Sequence, residues 1–133
     1  MNMFKGIDHV VISVADMAVG LEKYGAIFGK SADRTGEPEG AGFLTAHFEF
    51  ENSEVELVQP TNDSGPVAKH VEKTGGGMYL LSMRVDDIVA TLTELRSKNV
   101  RLIGDPGEGE TPKGQVFVHP SATGGVLLQI VEA

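Results

Sequence analysis

The stretch GIDHVVISVADM at residues 6–17 recurs in altered form as GMYLLSMRVDDI at residues 77–88. Each copy is an apolar run typical of a β-strand, and each contains an Asp that can cap a following helix. His9 of the first copy corresponds to Leu80 of the second, at an offset of about 71 residues. The pattern predicts a tandem repeat whose halves differ at a chemically informative position.

The residues that follow each copy extend the repeat to a whole module. Hydrophobic periodicity and turn residues predict five elements in the first half: strand 5–14, helix 17–28 and strands 31–34, 43–50 and 54–59. The second half predicts the same order: strand 78–85, helix 88–97 and strands 100–103, 115–119 and 126–131. Each half is therefore predicted to be a βαβββ module.

Neither module has a second apolar layer of its own, so the two are expected to complete one another. The predicted fold class is α+β, with two tandem βαβββ modules forming a curved mixed sheet around a cleft. We predict a single domain over residues 1–133, with module 1 at about 1–62, a linker helix at about 63–75 and module 2 at about 76–133.

Composition excludes several kinds of partner. The 133 residues carry a formal net charge of −8, which opposes binding to nucleic acid or to an anionic membrane. The absence of cysteine excludes disulfide and thiolate chemistry and fits a reducing compartment. The sequence shows no signal-peptide pattern and no apolar run of roughly 18 residues, so we expect a cytoplasmic protein.

Several polar side chains interrupt strands that are otherwise apolar. Glu54 and Glu56 alternate along one predicted strand, so their carboxylates point to the same face, which is either solvated or functional. Gln129 occupies the position of Glu56 in the second half and needs a hydrogen-bond partner there. His9 is either a packed structural residue or a ligand. Around the repeat, His9, Glu56, Leu80 and Gln129 resemble a four-ligand site in which Leu80 can donate nothing.

His47 offers a further donor. It lies in the predicted strand 43–50, where alternate side chains share a face. With His9 and Glu56 it would form a set of two imidazoles and one carboxylate, which suits a divalent cation such as Co, Mn, Zn, Ni or Fe. The alternative is that His47 is a half-exposed strand residue, and that no metal is bound.

Five motifs carry a family resemblance: IDHV (7–10), ELVQP (56–60), DSGPVAK (63–69), RVDDI (84–88) and HPSATGGVL (119–127). They closely resemble those of methylmalonyl-CoA epimerases in the vicinal oxygen chelate (glyoxalase/bleomycin resistance/dioxygenase) superfamily. The likeness covers nearly the whole chain. It implies paired βαβββ modules, usually in a homodimer, and a small-molecule substrate such as an acyl-CoA.

The resemblance also implies a set of site residues. It puts the metal ligands at His9, Glu56, Leu80 and Gln129, and the two bases of the epimerisation at Thr45 and Gln129. A base must hold the proton that it removes, which neither an aliphatic hydroxyl nor an amide can do. We therefore predict an isomerase or lyase that acts on a small carbonyl or acyl-CoA substrate but is not a standard epimerase.

A second function remains open from the sequence. The same cleft could belong to a metal-free protein that binds or sequesters a small molecule, as bleomycin-resistance members do. Its wall would include Phe43, Leu80 and Met83, and Leu80 favours this alternative because it turns a ligand position into cavity wall. A purely structural dimer module would not require Glu56 and Gln129 on inward strands.

Overall fold

The structure, a computed structural model, describes residues 3–133. Its first module comprises β1 (Phe4–Ser13), α1 (Met17–Phe28), β2 (Arg34–Gly36), β3 (Phe43–Glu49) and β4 (Glu54–Pro60). The helix α2 (Pro66–Thr74) follows. The second module comprises β5 (Gly77–Val85), α3 (Ile88–Ser97), β6 (Leu102–Ile103), β7 (Val116–Val118) and β8 (Leu128–Glu132). The predicted α+β fold with two βαβββ modules is confirmed.

The repeated Asp residues cap equivalent helices. Asp16 accepts a hydrogen bond from the backbone N–H of Val19 at 3.2 Å, and Asp87 accepts one from that of Ala90 at 3.0 Å. Each cap satisfies a donor that the first turn of the helix leaves without a partner. The same local device therefore starts α1 and α3.

The chain divides into two compact units, and the boundaries fall inside β1 and β5. One unit is His9–Tyr79; the other joins the segment ending at Asp8 to Leu80–Ala133. In the second of these units, Arg84 donates to the carbonyl of Ile7 at 2.7 Å. The predicted linker helix lies wholly within the unit His9–Tyr79.

In the unit His9–Tyr79, the strand order is β2-β3-β4-β1. β3 and β4 are antiparallel, whereas β1 and β4 are parallel. One face of these strands packs against α1 through a buried cluster of Met17, Ala46, Phe48 and Leu57. Because side chains alternate along a strand, the residues between these buried positions face the opposite side.

In the other unit, the strand order is β5-β8-β7-β6, with β5 and β8 parallel. Its core packs α3 against the strands through Val85, Ile88, Leu92, Val116, Val118 and Ile130. A loop after β6 is held by Arg96, which donates to Asp105 at 2.6 and 2.7 Å. This guanidinium holds the pKa of Asp105 below its ordinary value.

Three strands depart from their predicted bounds by two residues or more. β6 is Leu102–Ile103 rather than 100–103. β2 is Arg34–Gly36, where it pairs with β3, rather than 31–34. β8 begins at Leu128 rather than at 126, because Val126 is held in a turn by the Thr123 hydroxyl, which accepts from its N–H at 2.9 Å. In the described range 3–133, no helix has both the length and the apolar character needed to cross a membrane.

Candidate metal centre

The face of the sheet opposite α1 carries a cluster of two histidines and two glutamates. We define the carboxylate–histidine cluster as His9, His47, Glu54 and Glu56, all in the unit His9–Tyr79. Strand register brings them together: His47 lies opposite Glu56 across β3 and β4, and His9 lies beside Glu54 across β1 and β4. Three strands that are separate in sequence therefore contribute to one site.

Glu56 is the centre of this cluster. Its Oε1 lies 3.8 Å from Nδ1 of His47 and 4.0 Å from Nε2 of His9. Nδ1 of His47 also lies 3.4 Å from Oε1 of Glu54. The side chains of His9, His47, Glu54 and Glu56 are only 13% to 19% exposed. The cluster is thus a half-buried set of nitrogen and oxygen donors.

The electrostatics of Glu56 reflect its burial. Desolvation raises the pKa of Glu56 above its ordinary value, and the neighbouring carboxylate of Glu54 adds to that shift. His47, His9 and Arg34 act in the opposite direction and lower the pKa. A positive charge beside Glu56 would therefore be favourable, because burial opposes its ionised form.

Ligand atoms of His47, Glu54 and Glu56 all lie within 4.8 Å of one another. Donors bound to zinc at 2.0–2.2 Å in a tetrahedral site are separated by about 3.4 Å, so this spacing is close to that of a metal centre. Imidazole nitrogen and carboxylate oxygen suit borderline divalent cations. His47, Glu54 and Glu56 therefore fit a divalent metal, whereas His9, whose Nε2 lies 4.0 Å from Glu56, is outside this group of three.

The cluster includes one residue that the sequence analysis did not assign to the site. Glu54 had been placed on the same strand face as Glu56, and this spacing of two residues was the available signal. Its proximity to His47 depends on the register of β3 against β4, which a single sequence does not show. Glu54 also receives a hydrogen bond from Arg34, at 3.0 Å between Nη2 and Oε2.

The other predicted residues of the first module lie on β3. Thr45 is buried, and its hydroxyl donates to the carbonyl of Gly36 at 3.4 Å. Phe43 is half-buried. Both occupy the same strand face as His47, because they precede it by four and by two positions along the strand. Their roles remain predictions.

The remaining predicted residues belong to the other unit. Gln129 is buried on β8, beside Ser82 of β5 and opposite Phe117 of β7. Leu80 is buried and Met83 is half-buried, both on β5. The hydroxyl of Ser82 has no hydrogen-bond partner among the described residues. The two strand partners of Gln129 are therefore both uncharged.

Comparison with known proteins gives the class to which this fold and cluster belong. Residues 8–117 match the glyoxalase/bleomycin resistance protein/dioxygenase superfamily, and the chain belongs to that family. It is 30% identical to the mitochondrial methylmalonyl-CoA epimerase of Dictyostelium discoideum over 128 residues, which covers 95% of this chain and 77% of the relative.

Solved structures give the same relationship. Methylmalonyl-CoA epimerase from Mycobacterium tuberculosis is 32% identical, with a TM-score of 0.83, over 99% of this chain and 90% of that one. A variant of the Streptomyces coelicolor epimerase, solved in complex with 2-nitronate-propionyl-CoA, is 28% identical with a TM-score of 0.82, over 98% of both chains. The chain is a methylmalonyl-CoA epimerase-like member of its superfamily.

Proposed function

We propose that this protein is a metal-dependent isomerase or lyase that acts on an acyl-CoA or a related small carbonyl compound. In this proposal His9, His47 and Glu56 hold a divalent metal. The observation that carries it is the approach of two imidazole nitrogens to one carboxylate oxygen, Oε1 of Glu56, at 3.8 and 4.0 Å. Family membership supports the substrate class, because the Streptomyces coelicolor relative was solved with an acyl-CoA compound.

A divalent metal at this position would polarise the carbonyl oxygen of the substrate and so make its α-proton more acidic. The chain's own contribution is to fix the donors on three paired strands, where backbone hydrogen bonds limit their movement. Low exposure of the cluster keeps water away and strengthens electrostatic interactions there. These features favour a site for chemistry over a solvated surface.

The two positions that resemble the family's bases carry no base in this chain. Thr45 has a hydroxyl that donates to Gly36, and Gln129 has an amide, so neither can hold a proton taken from carbon. In this proposal Glu56 binds the metal through one oxygen, so its second carboxylate oxygen can accept that proton. We therefore propose exchange of an α-proton, or its elimination together with a β-substituent of the substrate that leaves with the bonding electron pair, without the two-base inversion of a standard epimerase.

Isotope exchange on separate stereoisomers tests this proposal. The protein would be purified without chelator, analysed for metal, and incubated in deuterated water with (2R)- or (2S)-methylmalonyl-CoA and with a panel of other acyl-CoA thioesters. We expect about one divalent ion per chain. We also expect deuterium at the α-carbon with retained configuration, or elimination, for at least one thioester.

A chelated sample and the Glu56→Gln variant are the controls, and both should lose the reaction. Inversion of either methylmalonyl-CoA isomer would show a standard epimerase. Absence of metal together with absence of α-proton exchange on every thioester would overturn the proposal. If acyl-CoA then raised the Tm of the metal-free protein, the protein would be a metal-free binding protein.

A further inference from the structure

Glu54 stands between the carboxylate–histidine cluster and a surface arginine. Its Oε1 lies 3.4 Å from Nδ1 of His47, and its Oε2 lies 3.0 Å from Nη2 of Arg34. The Glu54 side chain is 19% exposed, whereas that of Arg34 is 56% exposed. One carboxylate therefore contacts both the half-buried cluster and a largely solvated cation.

Geometry makes Glu54 as suitable a metal donor as Glu56. The separation of 3.4 Å between Glu54 and His47 equals the spacing of about 3.4 Å expected for two ligands of a tetrahedral ion, and it is shorter than the 3.8 Å between Glu56 and His47. Ligand atoms of the three residues all lie within 4.8 Å. Small side-chain rotations would suffice to place a cation among them.

Arg34 already acts as a cation toward this carboxylate. Its Nη2 donates to both oxygens of Glu54, at 3.0 and 3.4 Å, while its Nε lies 3.7 Å from Glu49. Two half-buried carboxylates side by side repel one another, and a nearby guanidinium reduces that repulsion. A metal bound to Glu54 would supply the same charge and would replace this contact.

We propose that Glu54 is a fourth protein donor of the metal centre, beside His9, His47 and Glu56, and that Arg34 competes with the metal for its carboxylate. This inference rests on the proposed function, since it concerns the same metal. The affinity of the centre is then set by an exchange at Glu54, which pairs with Arg34 when the metal is absent and with the metal when it is bound.

The chain offers a matched control for Glu54. Glu49 contacts the same arginine and carries the same charge, but its side chain is 55% exposed and it lies outside the group of donors. Glu54→Gln and Glu49→Gln therefore change net charge equally. Calorimetric titration of Zn²⁺ or Co²⁺ into the chelator-treated protein should show Kd raised about 10- to 100-fold by Glu54→Gln and less than about threefold by Glu49→Gln.

Arg34 is tested by a double-mutant cycle with Glu54. Arg34→Gln should lower Kd about tenfold in the wild-type background, because the carboxylate no longer has a competing partner. In the Glu54→Gln background the same change should have no effect beyond about twofold. If Arg34→Gln tightened binding equally in both backgrounds, the arginine would act only through its long-range charge. The proposal that it competes with the metal for Glu54 would then be wrong.

Two outcomes separate this inference from the function on which it rests. If the wild type binds metal and Glu56→Gln weakens binding while Glu54→Gln does not, Glu54 only orients His47 and the inference fails alone. A wild type that binds no divalent metal overturns both proposals. Circular dichroism of each variant, and the visible spectrum of the Co²⁺ form, show whether a change in Kd reflects a lost ligand or a lost fold.

Discussion

The two halves of this molecule share one pattern of strand pairing and differ in the side chains that it brings together. In the first half Glu56 lies beside Val11 on the parallel strand and opposite His47 on the antiparallel strand. In the second half the corresponding central residue is Gln129, with Ser82 and Phe117 in the same two positions.

The difference teaches that architecture and chemistry are separable in this chain. The helix caps, the parallel pairing of first and last strands, and the antiparallel neighbour are repeated. The titratable groups are not repeated: one half has a carboxylate with histidines, and the other has an amide whose two strand partners are uncharged. A βαβββ module therefore places three residues side by side, one on the central strand and one on each neighbouring strand. The identity of these three residues decides whether the module can hold a cation.

The first way to test the comparison is to give the first half the central residue of the second. Glu56→Gln removes the charge that both imidazoles approach and copies Gln129. We expect divalent-metal affinity to fall about 100-fold, because the variant loses a ligand and its electrostatic attraction together. Calorimetric titration measures this effect. An unchanged Kd with an unchanged fold would contradict a role for Glu56 as a ligand.

The next variant copies the residue across the antiparallel pair. His47→Phe places in β3 the aromatic residue that Phe117 supplies in β7, so strand propensity is retained. We expect Kd for Co²⁺ to rise about 10- to 50-fold, with a changed visible spectrum, because one nitrogen donor is lost. Phe117→Tyr, a similar change in the other half, is the control and should leave Kd unaltered. Equal effects of the two variants would contradict a centre in the first half.

The third prediction concerns what the halves share. Asp16→Ala and Asp87→Ala each remove an N-cap with similar hydrogen-bond lengths, 3.2 and 3.0 Å. Each should lower the free energy of unfolding by about 1 kcal/mol, and the two values should agree within about 0.5 kcal/mol. Urea denaturation measures both. A much larger loss in one half would mean that the repeated caps support unequal shares of the fold.

The smallest expected effect concerns the pH dependence of stability, to which Glu56 and Asp105 contribute with opposite signs. Burial raises the pKa of Glu56 above 4.5, so its ionisation costs stability as pH rises from about 4.5 to its folded-state pKa. Arg96 lowers the pKa of Asp105 below 3.8, so that pair stabilises the protein above about pH 3.8, and the contribution disappears as pH falls through the folded-state pKa.

Variants make these two contributions visible. In chelator, Glu56→Gln should gain stability relative to the wild type as pH increases above 4.5, whereas Asp105→Asn should lose its deficit below pH 3.8. Urea denaturation between pH 3 and 8 gives both curves. If the difference for Glu56→Gln did not change with pH, burial would not control the ionisation of this carboxyl.

Much of the fold was predictable because local sequence signals specify its elements and because these signals occur in both halves. Asp16 and Asp87, each placed at the end of an apolar run, indicate both helix starts, and both caps are present. Strand ends were less predictable because tertiary pairing decides them. β2 begins at Arg34, where pairing with β3 starts, and Val126 is held in a turn that no periodicity reveals.

The sequence predicted which residues form much of the site, but it did not predict the distances between their side chains. Residue chemistry alone singled out His9, His47 and Glu56, but their distances depend on the register of three strands. The turn between β3 and β4 fixes part of that register through a hydrogen bond from the N–H of Phe50 to the carbonyl of Ser53 at 2.8 Å. Glu54 gains its importance from the same register, which puts its carboxylate within reach of both His47 and Arg34.

The boundary between the units bears on how the chain could be cut. The segment up to Asp8 belongs with Leu80–Ala133, and Lys5 and Asp86 form an ion pair at 3.2 Å within that unit. A break in the linker would leave strand residues 4–8 on one fragment and their partners on the other. We expect two such fragments, expressed separately, to recover native circular dichroism only when mixed. The fold would then work as a split-protein reporter, in which native structure forms only when the two fragments associate.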